Sequence, residues 1–497
     1  MSTIQKRIFL GTILLSGARI FSNIVSLIST LILARLLLPA DFGLVALAGT
    51  MLAIITALSG GSFSDAIVYY KAPDNEHYHT IWTLNALKAL FVAFVSIAIS
   101  WPLARYYQDI RLMYTIAALS IGTIIMGLEN PKVVRMTKEL VFWQQVAIQI
   151  SQRIVSFLLS ASIAYYYESY WALIIGTISG QICGIFVSYI IAPYIPKLSL
   201  KHFAEVLMFA GWLNLSQAIN VLNWNFDNLL VGTFLGKGAL GYYTVGNNLA
   251  IIPSREAVAP LTSTLYPAFS NLIDEPKRLA IAYQKAQGMV MAVALPVGVG
   301  VALIAEPLVI LTMGEKWLPS VLLIQVLSSV FAIQTMGSLA QPLAMASGQT
   351  RLLFVRDLQS FIGRIPTIVI GMYLGGLPGV VYARALFGTA SILLNMLIVR
   401  RIIDLSIFDQ LKSNFRPLAS ALIMAFIVSI TGKYLSNCSG TLELFVKIFI
   451  QVACGSAAYC AITSLLWLAM GKREGPEQQI INVVSSLMLR VFTNKSQ

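Results

Sequence analysis

Apolar residues along this chain fall into long runs, not into short alternations. Mostly apolar stretches of roughly 20 residues, the length a helix needs to cross a bilayer core about 30 Å thick, recur from one end to the other. Short polar connections separate them. The pattern predicts an all-α, polytopic membrane protein of about fourteen spanning helices. They lie near 8–34, 42–64, 81–104, 112–129, 143–165, 169–192, 204–234, 239–270, 286–311, 319–346, 357–374, 379–399, 418–435 and 444–470. Connections this short make neighbouring helices antiparallel. The first run is read as a span and not as a cleavable leader, because Arg19 interrupts it and it continues far past the length of an h-region.

The charges on the connections orient the spans. With the N-terminus in the cytoplasm, the cytoplasmic segments carry most of the loop Lys and Arg. These include Lys6, Arg7, Lys132, Arg135, Lys138, Lys277, Arg278, Arg356, Arg400, Arg401, Lys472 and Arg473. The opposite connections hold only Arg35, Arg105, Arg111, Lys237, Lys316 and Lys433. Such an asymmetry is the positive-inside pattern, and it places both termini in the cytoplasm. Past Lys472, the stretch QIINVVSSLMLRVF (479–492) sets apolar residues on one helical face with Arg490 on the other, and predicts an amphipathic helix on the cytoplasmic leaflet.

Composition narrows the class further. The 497 residues are 57% hydrophobic and 11% charged, with a mean hydropathy of +0.78; a soluble domain carries about 25% charged residues. Soluble multidomain proteins, disordered chains, nucleic-acid binders and secreted disulfide scaffolds are excluded. The net charge of +13 is explained by the basic loops. Cys183, Cys438, Cys454 and Cys460 show no CxxC spacing and read as small buried hydrophobes.

An internal repeat is visible. LILARLLLPADFGLVALAG (31–49) joins spans one and two, and NLLVGTFLGKGALGYYTVG (228–246) joins spans seven and eight. At an offset of 198 residues, Leu37 meets Leu235 and Gly43 meets Gly241, each unit carrying breakers just before its second helix. Six spans separate the units, so they share one orientation, as in parallel repeats about an axis along the membrane normal. Two pseudo-symmetric six-helix lobes followed by two additional helices fit this spacing. The expected division is a first lobe at 1–200, a second at 201–400, spans thirteen and fourteen at 401–470, and the tail at 471–497.

Some charges fall where lipid would be. Arg19, Lys88, Arg153, Arg255 and Arg364 lie well inside spans, with Arg384 and Lys447 nearer helix ends. A basic residue facing lipid at a helix centre costs about 2.5–3.5 kcal/mol, so most should face water or pair with an acid. The acids inside spans are fewer: Asp227, Glu256 and Glu306, with Asp65 and Glu129 near ends. Asp227 shares its span with Asn214, Gln217, Asn220, Asn223, Asn225 and Asn228, a polar set that suits a cavity wall, the alternative being hydrogen-bonded helix packing. A cavity with a surplus of bases favours an anion, and arginine grips a diphosphate through paired hydrogen bonds. Arg19, Lys88, Arg153, Arg255, Arg364, Asn220 and Asn223 are the expected substrate contacts, with Asp227 and Glu256 for charge pairing or ion coupling. Arg255 stands between Pro253 and Pro260, in a span where a bend or break is expected.

Catalytic chemistry has little to stand on. The histidines are His77, His79 and His202, all in connections; His77 and His79 sit beside Asp74 and Glu76, where a surface metal site is conceivable, but none is assigned. There is no GxxxxGK[ST] loop, so no nucleotide cofactor is expected.

Three blocks carry a family resemblance. The 31–49 stretch resembles the LARLL-P-DFG signature of Wzx-type polysaccharide flippases, and NFDNLLVGTFLGKGALGYYTVGNNLA (225–250) and LYPAFSNLIDEPKRLAIAYQKA (265–286) resemble blocks of the second lobe in that family. The chain is most similar to the colanic-acid-type lipopolysaccharide biosynthesis branch of the polysaccharide transporters, within the multidrug/oligosaccharidyl-lipid/polysaccharide superfamily. The resemblance implies a bacterial inner-membrane flippase that moves undecaprenyl-diphosphate-linked oligosaccharide repeat units to the periplasmic leaflet by alternating access. It also implies that a polysaccharide polymerase and an initiating transferase act alongside, and that the additional helices offer the polyprenyl tail a groove. The alternatives are a multidrug/cation antiporter of the same superfamily, which would want acids in its cavity, a membrane-embedded polymerase or ligase, which would want larger periplasmic loops, and a structural scaffold.

Overall fold

The structure is a computed structural model and describes residues 3–60, 63–65, 67, 74–138, 142–435 and 440–470; the tail expected at 471–497 lies outside the described residues. No strand occurs among the described residues. The helices are α1 (Thr3–Leu36), α2 (Pro39–Leu58), α3 (Asn75–Tyr106), α4 (Ile110–Gly127), α5 (Lys132–Lys138), α6 (Trp143–Tyr167), α7 (Trp171–Ile191), α8 (Phe203–Phe234) and α9 (Gly236–Ser270). They continue as α10 (Pro276–Leu303), α11 (Ala305–Thr312), α12 (Val321–Gln334), α13 (Ala340–Ala346), α14 (Thr350–Ile403), α15 (Ile407–Ser413), α16 (Phe415–Tyr434) and α17 (Thr441–Ala469). Each predicted span overlaps one or more of these helices. Among the described residues, 11 helical segments are long and apolar enough to cross a membrane, which makes this a multi-pass membrane protein.

One of those segments is two helices. Within α14, Gly375 (φ −152) and Gly376 (φ 57) leave the helical region. A Cβ placed on Gly371 would meet the Cβ of Ala383 at 2.6 Å, although a straight helix would set residues twelve apart about 18 Å away. The chain therefore folds back at Gly376 into an antiparallel hairpin, where the apolar pattern had put a break between 374 and 379.

α3 shows why these helices suit a bilayer. Its exposed stripe is Leu87 (50% exposed), Leu90, Phe91 and Phe94 (73%), spaced as one helical face. The opposite, buried stripe is Asn85, Ala89, Ser96 and Ser100. Large apolar groups face outward and small or polar groups inward, the inverse of a soluble helix. Lipid supplies no hydrophobic drive for helices to associate, so close backbone approach and polar contacts must do it. α6 and α7 pack this way: Gly176, Gly180 and Gly184, one turn apart, receive Ser160, Ser156 and Gln152.

The chain divides into two compact units, residues 1–245 and 246–497. In the first, α1 packs on α6, α3 on α4, and α2 on both α4 and α8. In the second, α10 packs on α12, and α16 on α10 and α17, around Met291, Leu295, Met336, Met396 and Met424.

Gly376→Val is expected to lower the thermal midpoint of the detergent-solubilised protein, because a branched residue held at positive φ costs about 1–2 kcal/mol or more. Gly375→Ala, at negative φ, should lower it less. Equal midpoints for wild type and Gly376→Val would contradict the hairpin.

Candidate functional site

The two repeat motifs meet inside the first unit. Pro39 opens α2, and the Asp41 carboxylate closes its first turn by accepting from the Leu38 N–H at 3.1 Å. Pro fits the first helical position because the missing N–H would have had no partner there. Four residues later, a Cβ on Gly43 would collide with the Lys237 carbonyl oxygen, and a Cβ on Gly241 would collide with the Pro39 carbonyl oxygen. Pro39 and Lys237 are partners at the same 198-residue offset as Gly43 and Gly241. The contact is thus its own mirror under the repeat, a local pseudo-two-fold crossing that any side chain at either glycine would wedge apart.

An ionic clasp lies beside the crossing. The turn before α4 carries Gln108 at φ 51 and ends on Asp109, which is 9% exposed. Asp109 accepts from the Arg111 backbone N–H at 2.9 Å and from the Arg111 guanidinium at 3.0 Å, and it pairs with Lys237. The hydroxyls of Tyr107 and Thr233 join the same strands of chain at 2.6 Å. Burial pushes the Asp109 carboxyl up, but the hydrogen bonds from Arg111 and Lys237 outweigh it and hold the pKa at about 2. The stabilisation from the depressed carboxyl is therefore complete above the ordinary carboxylate range and is lost progressively as pH falls from that range through about 2.

The expected substrate contacts fall into the two units separately. In the first, Arg19, Arg153 and Asn220 are exposed, each well within its helix. Lys88 is half-buried, donates to the Gly60 carbonyl at 3.0 Å and lies 5.8 Å over the Phe63 ring. Asn223 is half-buried, and Asp227, 2% exposed, accepts a hydrogen bond from the Tyr243 hydroxyl at 2.9 Å. Asn225 donates from its amide to the Val221 carbonyl of its own helix at 2.9 Å. Side chains at Asn214 and Gln217 are outside the described residues. In the second unit, Arg255 is exposed midway along α9, while Glu256 and Arg364 are half-buried.

Sequence reasoning passed over several charged groups. Arg384 is only 7% exposed and sits 5.6 Å over the Phe331 ring. Arg356, counted with the connections, lies inside α14, donates to Asn395 at 3.1 Å across the hairpin and pairs with Asp357 at 2.8 Å. The hairpin itself creates that contact, and nothing local in the sequence signals it. A cavity of about 580 Å³ in the second unit is lined by Glu306, Lys433, Lys447 and Gln451 among others. Glu306 and Lys447 were visible as charges in or near spans; their common cavity was not.

This architecture defines a class. Solved structures with the same fold include the lipid II flippase MurJ in an inward closed conformation, with a TM-score of 0.74, 17% identity, and cover of 92% of this chain and 99% of that one. A multidrug resistance MATE family transporter of the MOP superfamily, inward-facing, matches with a TM-score of 0.59, 14% identity, and cover of 77% and 94%. The fold is that of a polytopic membrane transporter.

The family follows from the sequence itself. A model described as "polysaccharide biosynthesis protein" matches residues 32–322, more than half of the chain and both repeat motifs, and the chain belongs to that family. The lipopolysaccharide biosynthesis protein WzxC of Escherichia coli (strain K12) is 24% identical over 422 residues, 83% of this chain and 84% of the relative. The succinoglycan biosynthesis transport protein ExoT of Rhizobium meliloti (strain 1021) is 22% identical over 405 residues, 80% and 81% of the two chains. The resemblance to Wzx-type proteins read from the 31–49 block is thereby met.

Lys237→Met is expected to lower the thermal midpoint at pH 7, since it strips one charged hydrogen bond, worth about 1.5–3 kcal/mol, from a nearly buried carboxylate. Arg111→Ala should lower it less, because the Arg111 side chain is 48% exposed against 24% for Lys237. Equal effects of the two would contradict the clasp as drawn.

Proposed function

We propose that the protein is a flippase that carries undecaprenyl-diphosphate-linked oligosaccharide repeat units from the cytoplasmic to the periplasmic leaflet of a bacterial inner membrane. It works by alternating access, for export of surface polysaccharide, and has no catalytic chemistry of its own. The relatives named for lipopolysaccharide and succinoglycan biosynthesis, together with the lipid II flippase fold, support the substrate class. The basic loops support an inner-membrane protein with both termini in the cytoplasm. A polymerase and an initiating transferase would consume and supply the repeat unit.

One observation carries the reading. Arg19, Arg153 and Arg255 stand exposed midway along helices that are otherwise apolar enough, or long enough, to cross a bilayer. Facing lipid, each would cost about 2.5–3.5 kcal/mol, so water or a polar partner is expected to meet them. Arginines in water inside the membrane are suited to a diphosphate, which they hold through paired, charge-assisted hydrogen bonds. Lys88 and Arg364 add positive charge at half-buried positions, Asn220 and Asn223 offer amides to sugar hydroxyls, and Asp227 and Glu256 take the role of charge pairing or ion coupling.

The proposed lobes are residues 1–200 and 201–400, with 401–470 as an added pair of spans. In that division the Gly43–Gly241 crossing and the Asp109–Lys237 clasp tie residues of the first lobe to the first residues of α9.

Arg255→Ala is expected to cut export of surface polysaccharide at least tenfold while the protein accumulates in the membrane at wild-type level; Arg255→Lys should retain part of it. Export at the wild-type level in Arg255→Ala would overturn this assignment.

A further inference from the structure

Two histidines that the sequence holds far apart are stacked face to face where α3 and α8 begin. Their ring centroids are 3.7 Å apart, with the planes inclined by 14°. His77 lies in the first turn of α3, and His202 immediately precedes α8. Their side chains are 13% and 22% exposed.

A carboxylate stands at each edge of the stack. Asp74, the cap of α3, touches His77 Nδ1 at 2.6 Å and lies 3.9 Å from His202 Nε2. Glu205 lies 3.3 Å from His202 Nδ1 and 3.9 Å from His77 Nε2. Each ring therefore turns one nitrogen to Asp74 and the other to Glu205. The Nε2 of His202 is buried and makes no hydrogen bond, although it points at a carboxylate. One donor atom from each of Asp74, His77 and His202 lies within 4.8 Å of the other two.

We propose that Asp74, His77 and His202 form a binding site for a divalent transition-metal ion of the zinc class. Zinc takes nitrogen and oxygen ligands at about 2.0–2.2 Å, so the 3.9 Å between His202 Nε2 and Asp74 leaves room for an ion between them. Imidazole nitrogens select such an ion over magnesium or calcium. Binding uses the Nδ1 lone pair of His77, so the neutral ring carries its single proton on Nε2 and the hydrogen bond from Nδ1 to Asp74 is given up to the ion. Both opposite N–H groups then point to Glu205, the outer carboxylate that orients metal-bound histidines and makes them better ligands. Parallel rings aim their lone pairs in parallel, so the imidazoles must splay by rotation about their last torsion, which has a broad energy well.

The scaffold is already fixed by other side chains. Ser199 donates to Glu76 at 2.8 Å, the Ser199 N–H donates to Thr83 at 3.1 Å, and His79 is held by the Tyr194 hydroxyl at 2.7 Å and the Lys197 N–H at 3.3 Å. His79 is thus occupied in structure and stays out of the site. A bound ion would staple the starts of α3 and α8, a role separate from substrate contact.

The test is calorimetric titration of ZnCl₂ into the full-length, chelator-treated protein in detergent, carried without a polyhistidine tag. One ion per chain is expected, with a thermal midpoint that rises with zinc concentration as mass action requires and no response to MgCl₂. His202→Ala should abolish binding, and Glu205→Gln should weaken it about 10- to 100-fold. Absence of stoichiometric zinc binding, or equal binding by wild type and His202→Ala, would overturn the proposal. If His202→Ala fails to accumulate, Co²⁺ added to wild type decides: the visible bands of four-coordinate, nitrogen-ligated cobalt support the site, and the spectrum of aquated cobalt overturns it.

Discussion

The close approach of backbone to backbone in the first unit, Gly43 against the Lys237 carbonyl and Gly241 against the Pro39 carbonyl, constrains much of what surrounds it. A bilayer gives helices no hydrophobic reason to associate, so backbones must come close enough for dispersion and polar contacts to act. Two glycines at equivalent repeat positions allow that, and they do so symmetrically. Once the crossing is fixed, α2 and α8 are held together, Lys237 is delivered to Asp109, and Thr233 is delivered to Tyr107. A side chain at either glycine would remove all of these contacts together.

The same logic runs through the helices as a whole. Their outward faces are large and apolar, as at Phe91 and Phe94, and their inward faces small or polar, as at Ala89 and Ser96. Polar groups inside such a protein have little water to fall back on, so pairing with another polar group is favoured. Asp227 takes the Tyr243 hydroxyl, Arg356 takes Asn395 and Asp357, and Asp109 takes Arg111 and Lys237. Arg19, Arg153 and Arg255 stand exposed midway along their helices, the positions that the proposed function uses.

The sequence made the helices legible because runs of apolar residues and loop charges are one-dimensional signals. The repeat was legible as well, since Gly43 and Gly241 share an offset and similar breakers. What stayed hidden depends on distance in the chain. Arg356 reads as a loop charge until the turn at Gly376 folds Asn395 back onto it. His202 reads as an isolated loop histidine until α3 and α8 start side by side, and His79, a neighbour of His77 in sequence, is instead taken up by Tyr194. Spacing along one helix cannot reveal a partner that another element brings. Polar content does not name a partner either: Asn225 donates to the Val221 carbonyl of its own helix, a bond that the span's composition does not signal.

The central claim is that the protein moves a lipid-linked oligosaccharide from one leaflet to the other, and sidedness is its direct readout. Deletion in the native host, followed by analysis of lipid-linked sugars on each face of the inner membrane, measures it. The account predicts repeat units trapped on the cytoplasmic face and loss of surface polysaccharide, with both restored by the intact chain. Repeat units that reach the periplasmic face in the deletion strain and fail only to be polymerised would contradict it.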